Sequence, residues 1–138
     1  MSEHSEQAAF IDWCAWNMRK YPELDLLFAI PNGVPLSDYY RGSRAHQNMI
    51  AGKRMNMLKA EGFRPGVCDL FFPSARGGYH GMFIEMKTKT GRLSENQKEF
   101  IAGVEKQGYI CYVTHGADEA IAYMELYLAM PKTKGDAK

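Results

Sequence analysis

The sequence predicts an α/β fold: a mixed sheet covered by helices. Three observations predict it. Apolar spacing switches between helical period and strand alternation, giving the order helix, strand, helix, strand, strand, helix, strand, helix. Val67–Phe72 and Met82–Lys87 are apolar runs joined by a Pro/Gly-containing link, Pro73 to Gly78, of the hairpin type. Tyr109 to Val113 is almost continuously apolar, as in a strand buried on both faces.

Each element follows from local chemistry. From about Glu3 to Lys20, Ala9, Phe10, Trp13, Cys14 and Trp16 form a broad apolar stripe, and Pro22 stops the helix just beyond. Leu26 to Ile30 reads as a short strand ended by the turn Pro31-Asn32-Gly33. Val34 to Gln47 has no clean period and reads as a loop. Met49 to Glu61 is helical, with Met49, Ile50, Met57 and Leu58 inward and Gly62 as its stop. After the two central strands, Thr88 to Leu93 is a polar loop. Ser94 and Gln97 then have the spacing of a capping box, opening a helix that buries Phe100, Ile101 and Val104 and ends at Gly108. Asp118 and Glu119 suit the positive end of a last helix carrying Ile121, Met124 and Leu128.

Composition sets the bounds. The 138 residues fit one domain, expected over 1–130, with 131–138 as a disordered tail. Net charge is only +1, so any nucleic-acid surface must be a local patch. Three cysteines, Cys14, Cys68 and Cys111, lack metal-type spacing and are odd in number, which argues against a disulfide framework and a zinc site. All three read as small core residues. No apolar stretch is long enough to span a bilayer, and the polar, acidic N-terminus does not resemble a signal peptide, so a cytoplasmic protein is expected. No nucleotide cofactor is expected.

The chemistry concentrates at Glu85-Met86-Lys87. In an extended strand Glu85 and Lys87 share one face, while Met82, Ile84 and Met86 share the other. Alone, such a pair is most often a surface ion pair of little worth, and Asp69 beside Leu70-Phe71-Phe72 is an ordinary strand-end residue. Both acids, however, interrupt or follow apolar runs, where a charge needs a partner, a metal or an open cleft. Asp69 and Glu85 supply two hard oxygen ligands for a divalent ion, and the Met86 carbonyl offers a third. Charged Lys87 cannot ligate; it can hold a phosphate oxygen or polarise the attacking water. Two neighbouring acids repel each other, so metal binding relieves an electrostatic strain. Gln97 serves either the capping box or, from the sheet-facing side of its helix, the orientation of water or phosphate. Glu6 either satisfies its own helix dipole or completes the metal shell through water.

Taken together, Gly66-Val67-Cys68-Asp69-Leu70, Glu85-Met86-Lys87, Gly91-Arg92-Leu93-Ser94 and Gln97 resemble the VRR-NUC family of PD-(D/E)XK nucleases. Pro31-Asn32-Gly33 and Leu58-Lys59-Ala60-Glu61-Gly62 are similar to compact phage and bacterial members, over roughly Glu6 to Leu128. The resemblance implies a restriction-endonuclease-like αβββαβ core and a Mg²⁺- or Mn²⁺-dependent endonuclease. It implies Asp69 and Glu85 as metal ligands, Lys87 as catalytic base or stabiliser, Gln97 as the family's helix glutamine and Glu6 as its N-terminal acid. It also implies a homodimer acting on branched DNA such as Holliday junctions, in a host cytoplasm. Flap cleavage is the variant reading. Two departures stand out: Cys68 replaces the usual proline before the aspartate, and the Val-Arg-Arg triplet is absent.

Arg41, Arg44, Lys53, Arg54 and Lys59, with Tyr39 and Tyr40, precede the Asp69 strand; Lys89 and Arg92 follow the Glu85 strand. They are candidates for phosphate tracking, with tyrosines stacking on an unpaired base. Read plainly, the helix lysines are a solvated face. No base-reading motif is present, so recognition of shape is expected. Two other classes compete: a DNA-binding module without turnover, and an assembly subunit using Trp13, Trp16 and the Met-rich helices.

Overall fold

The computed structural model describes residues 2–31 and 43–134. Among the described residues, four α-helices and four strands follow one another as α1 (Glu3–Trp16), β1 (Phe28–Ala29), α2 (Arg44–Ala60), β2 (Leu70–Phe72), β3 (Met82–Lys87), α3 (Glu95–Lys106), β4 (Ile110–His115) and α4 (Ala117–Leu128). This is the order the periodicity predicts. The chain divides into two compact units, one drawn from Met1–Ile30 and Gly66–Lys138, the other from Pro31–Pro65.

The first unit holds the sheet, in the order β1-β2-β3-β4. β1 and β3 pair with β2 antiparallel, and β4 pairs with β3 in parallel. A parallel neighbour cannot follow through a tight turn, so α3 supplies the crossover. The sheet is therefore mixed and flanked by helices, as expected.

Its two faces differ. Met82, Ile84 and Met86 join Leu70, Phe72, Phe10 and Cys14 of α1, and Ala120, Met124 and Tyr127 of α4, in one buried cluster. Burying a side chain such as Phe10 or Met124 stabilises the fold by roughly 2–3 kcal/mol. The opposite face carries aromatic contacts: Phe83 meets Phe71, Phe100 of α3 and Tyr109 with ring centroids 4.5 to 5.8 Å apart. α3 closes with the Tyr109 N–H on the Val104 carbonyl and the Gly108 N–H on the Glu105 carbonyl. That closure places Gly108 at φ +93°, where a side chain is strained.

Several boundaries depart from expectation. α1 ends four residues early because the Asn17 side-chain amide donates to the Trp13 carbonyl at 2.8 Å. Trp16, the last residue of α1, lies about 200° around the helix from buried Cys14 and is 85% exposed. The expected strand from Leu26 is preceded by a 3₁₀ turn, Pro22–Leu26, whose proline sits at the first helical position, and only Phe28–Ala29 pair as strand. In the second unit, α2 keeps Gln47, Ile50, Ala51, Met55 and Leu58 half-buried, while Met49 and Met57 are mostly exposed. Successive helical residues diverge by about 100°, so Met49 with Ile50, and Met57 with Leu58, cannot share a narrow face. The start of the expected loose tail is bonded: Pro131 accepts from Gly77 N–H and Thr133 donates to Ala75. A buried Arg76 braces this region by donating to the Leu128 carbonyl at 2.9 Å and pairing with Glu23.

Candidate active site

β3 has the expected alternation: Glu85 and Lys87 face away from the Met82, Ile84 and Met86 core. Leu70 stands opposite Ile84 in the β2–β3 ladder, so continuing that register by one residue sets Asp69 opposite Glu85. Opposed residues of an antiparallel pair project to the same face. Both acids therefore lie on the α3 side of the sheet. Asp69 itself precedes the hydrogen-bonded part of β2. Its carbonyl accepts from Ile30 N–H at 2.8 Å, and its Oδ2 accepts from Met86 N–H at 2.7 Å. The Asp69 side chain thus takes the place of a ladder partner. The Glu85 carbonyl accepts from Thr114 Oγ1, on the β4 side. Because N–H and C=O of one strand residue leave the same edge, the Met86 carbonyl is directed toward Asp69.

Glu85 is 2% exposed. Its Oε1 accepts from Gln97 Nε2 at 2.8 Å and lies 3.5 Å from Lys87 Nζ. Its Oε2 is buried with no hydrogen-bond partner among the described residues. Burial, reinforced by the charge of Asp69, pushes the Glu85 carboxyl up to about 8, against the opposing pull of Lys87.

Gln97 makes the expected capping box and in addition bonds Glu85. Its Oε1 accepts from Ser94 N–H at 2.9 Å, Ser94 Oγ accepts from Gln97 N–H, and its Nε2 still reaches Glu85. One amide has a donor end and an acceptor end, so capping α3 leaves the donor free for the acid. The segment leading to Asp69 is pressed against the same helix start: a Cβ on Gly66 would lie 2.5 Å from the Asn96 carbonyl carbon.

The donor set fits a hard divalent ion. Two carboxylates on one face, one with an orphaned buried oxygen, and a carbonyl aimed to the same flank suit a cation that keeps several waters. No third His, Cys, Asp or Glu completes a metal-holding group among the described residues. Glu6 is accordingly not a direct member of that set. Its Oε2 instead accepts from Ala117 N–H at 2.6 Å, tying α1 to the positive end of α4. Glu6 does line a cleft of about 460 Å³ at the C-terminal ends of β3 and β4, together with Lys87, Lys89 and His115.

Of the candidate phosphate contacts, Lys89 and Arg92 are exposed on the loop after β3, and Arg44, Lys53, Arg54 and Lys59 are exposed on α2. Arg41, Tyr39 and Tyr40 lie outside the described residues.

Three features escaped sequence reasoning. His115 Nε2 lies 3.3 Å from the Gly91 carbonyl, linking β4 to the loop of Lys89 and Arg92. The Glu6 bond to α4 spans most of the chain and has no local signature. Cys68 Sγ and Cys111 Sγ are 3.3 Å apart.

A family model described as the VRR-NUC domain matches residues 40–118, more than half of the chain. A solved structure described as a VRR_NUC domain protein is similar in fold, with a TM-score of 0.75 and 24% identity. The match covers 100% of this chain and 97% of that one. No curated protein matches. No helix among the described residues is long and apolar enough to cross a membrane.

Proposed function

The chain belongs to the VRR-NUC domain family, and from that premise we propose that it is a Mg²⁺- or Mn²⁺-dependent endodeoxyribonuclease acting on branched DNA. The observation that carries this reading is the convergence on one sheet face of Glu85, Lys87 and the Asp69 carboxylate held by Met86 N–H.

Asp69, Glu85 and the Met86 carbonyl would hold the ion, which would neutralise phosphate charge and lower the pKa of a bound water. Everything else is done by the chain. Gln97 fixes Glu85 Oε1 by its amide and leaves Oε2 available as the oxygen that would ligate. Lys87 is only 12% exposed at its side chain, so its ammonium acts in a partly dry site where it holds a phosphate oxygen or the attacking water strongly. Glu6 positions the start of α4 beside the cleft rather than ligating. Lys89 and Arg92 contact the phosphates flanking the scissile one, and Arg44, Lys53, Arg54 and Lys59 of α2 add further backbone contacts. Such contacts read shape, which suits a junction or flap. A homodimer would present two sites to the two strands of a junction.

The test incubates the protein with end-labelled four-way junction, flap and linear duplex, with Mg²⁺, Mn²⁺ or EDTA, beside Lys87→Ala. Cuts in branched DNA that need metal and vanish in the variant are expected. Binding without cuts would replace the enzyme by a DNA-binding module.

A further inference from the structure

We propose that Cys68 and Cys111 are a modification site for peroxides, a pair that closes to a disulfide and thereby displaces Asp69 from the candidate metal site. The regulatory half of this statement rests on the nuclease reading; the pairing itself does not.

The two thiols come from separate elements. Cys68 immediately precedes Asp69. Cys111 stands beside Phe83 in the parallel ladder, so it lies on the face that carries Glu85. Their sulfurs are 3.3 Å apart, and a disulfide needs about 2.05 Å, so closure asks for roughly 1.2 Å of approach. The third cysteine, Cys14, is buried on the opposite face among Phe10 and Leu24, with no such neighbour in that cluster.

Access sets the order of events. Cys111 is half-buried on the edge strand β4, whereas Cys68 is 0% exposed. The Cys111 sulfur attacks a peroxide oxygen, the O–O bond breaks, and the departing oxygen leaves as water with the thiol proton. Cys111 is then a sulfenic acid. The Cys68 sulfur attacks the Cys111 sulfur, the S–O bond breaks, and water leaves with the Cys68 proton. Two thiols and one hydrogen peroxide become one disulfide and two waters, and peroxide receives both electrons. An added dithiol reverses the change.

The consequence follows from the backbone. The Asp69 carboxylate accepts from Met86 N–H at 2.7 Å, and its carbonyl accepts from Ile30 N–H. Upstream, Gly66 lies so close to Asn96 that a Cβ there would meet its backbone, which leaves little slack on that side. Cys68 and Asp69 are adjacent, so drawing Cys68 toward β4 shifts Asp69 relative to Glu85.

The full chain is treated with hydrogen peroxide, alkylated and mapped by mass spectrometry, and Mn²⁺ binding is measured in parallel. A linked Cys68–Cys111 peptide, lighter by about 2 Da than the two thiol peptides together, is expected while Cys14 stays alkylated. Mn²⁺ affinity falls at least about tenfold and dithiothreitol restores it, because a displaced carboxylate is a lost ligand. Cys111→Ala keeps the Mn²⁺ binding of the reduced protein and ignores peroxide. Absence of the linked peptide overturns the pair. A linked peptide with unchanged Mn²⁺ binding, or equal peroxide sensitivity in Cys111→Ala, overturns the regulation. A reduced protein that neither binds Mn²⁺ nor cuts DNA overturns the nuclease reading instead, and the peptide map still decides the pair.

Discussion

Glu85→Gln separates what Glu85 does for stability from what it does for metal. The carboxyl sits at about 8 in the folded chain against an ordinary 4.5, because it is buried beside Asp69. Between those values the folded state binds more protons than the unfolded state. Stability of the metal-free protein therefore falls as pH rises from about 4.5 to about 8, by up to about 1.4 kcal/mol per unit, and is level on either side. Near pH 7 the accumulated cost is about 3 kcal/mol. Glutamine has the same shape, keeps an oxygen for the Gln97 amide and carries no charge. The variant should thus gain about 2–3 kcal/mol near pH 7, raising Tm by roughly 10 °C. Near pH 4.5 the gain should disappear. Thermal unfolding in EDTA across this range reads both. Saturating Mn²⁺ should raise the Tm of the wild-type protein and leave Glu85→Gln nearly unmoved. A variant no more stable than wild type near pH 7, or equally stabilised by Mn²⁺, would refute the burial argument or the ligand assignment respectively.

Other expectations follow from the same geometry. Lys87→Ala should lower cleavage at saturating junction by at least about 100-fold, because a charge is lost from a dry site; an unchanged single-turnover rate would count against its role. Gln97→Leu removes the Ser94 N–H half of the capping box and the Glu85 bond together, so it should lose about 1–2 kcal/mol by chemical denaturation as well as activity. Gln97→Glu keeps only the cap, and should recover much of the stability without the activity. Glu6→Ala should lose about 1–2 kcal/mol by freeing the α4 terminus, with one Mn²⁺ still bound per chain by calorimetry; loss of the ion would make Glu6 a ligand after all. Lys53→Ala and Arg54→Ala should each reduce the slope of log affinity against log salt by about one, with the rate at saturation unchanged.

The site was legible where chemistry is local. Alternation in Met82–Lys87 separated the acid-lysine face from the oily one, and the Ser94–Gln97 spacing announced the α3 cap. The reach of Gln97 to Glu85 has no local signature, because sequence spacing does not reveal that one amide has two usable ends. Glu6 misled for a related reason. An acid in the first turn of a helix satisfies that helix by default, and nothing local says it will cap α4, 111 residues away. Met49 and Met57 are apolar but stand about 100° from Ile50 and Leu58 around α2, so apolar character alone does not turn them inward. Trp16 is apolar but stands about 200° from Cys14 around α1, and the stop at Asn17 comes from a side-chain bond that periodicity does not carry. Cys68 is buried as a small core residue should be, whereas Cys111 is only half-buried, and their contact needs the β3–β4 register and the path of Gly66 over α3, both products of the tertiary fold.

The most direct test of the central claim is anomalous diffraction from crystals of the protein soaked in Mn²⁺. One strong peak is expected about 2.1 Å from an oxygen of Asp69 and from Glu85 Oε2. The Met86 carbonyl should lie within the same shell, and the peak should be absent in Asp69→Asn. A fully soaked crystal with no peak between the two carboxylates, or with its ion held elsewhere, would contradict the assignment of this face as the metal site.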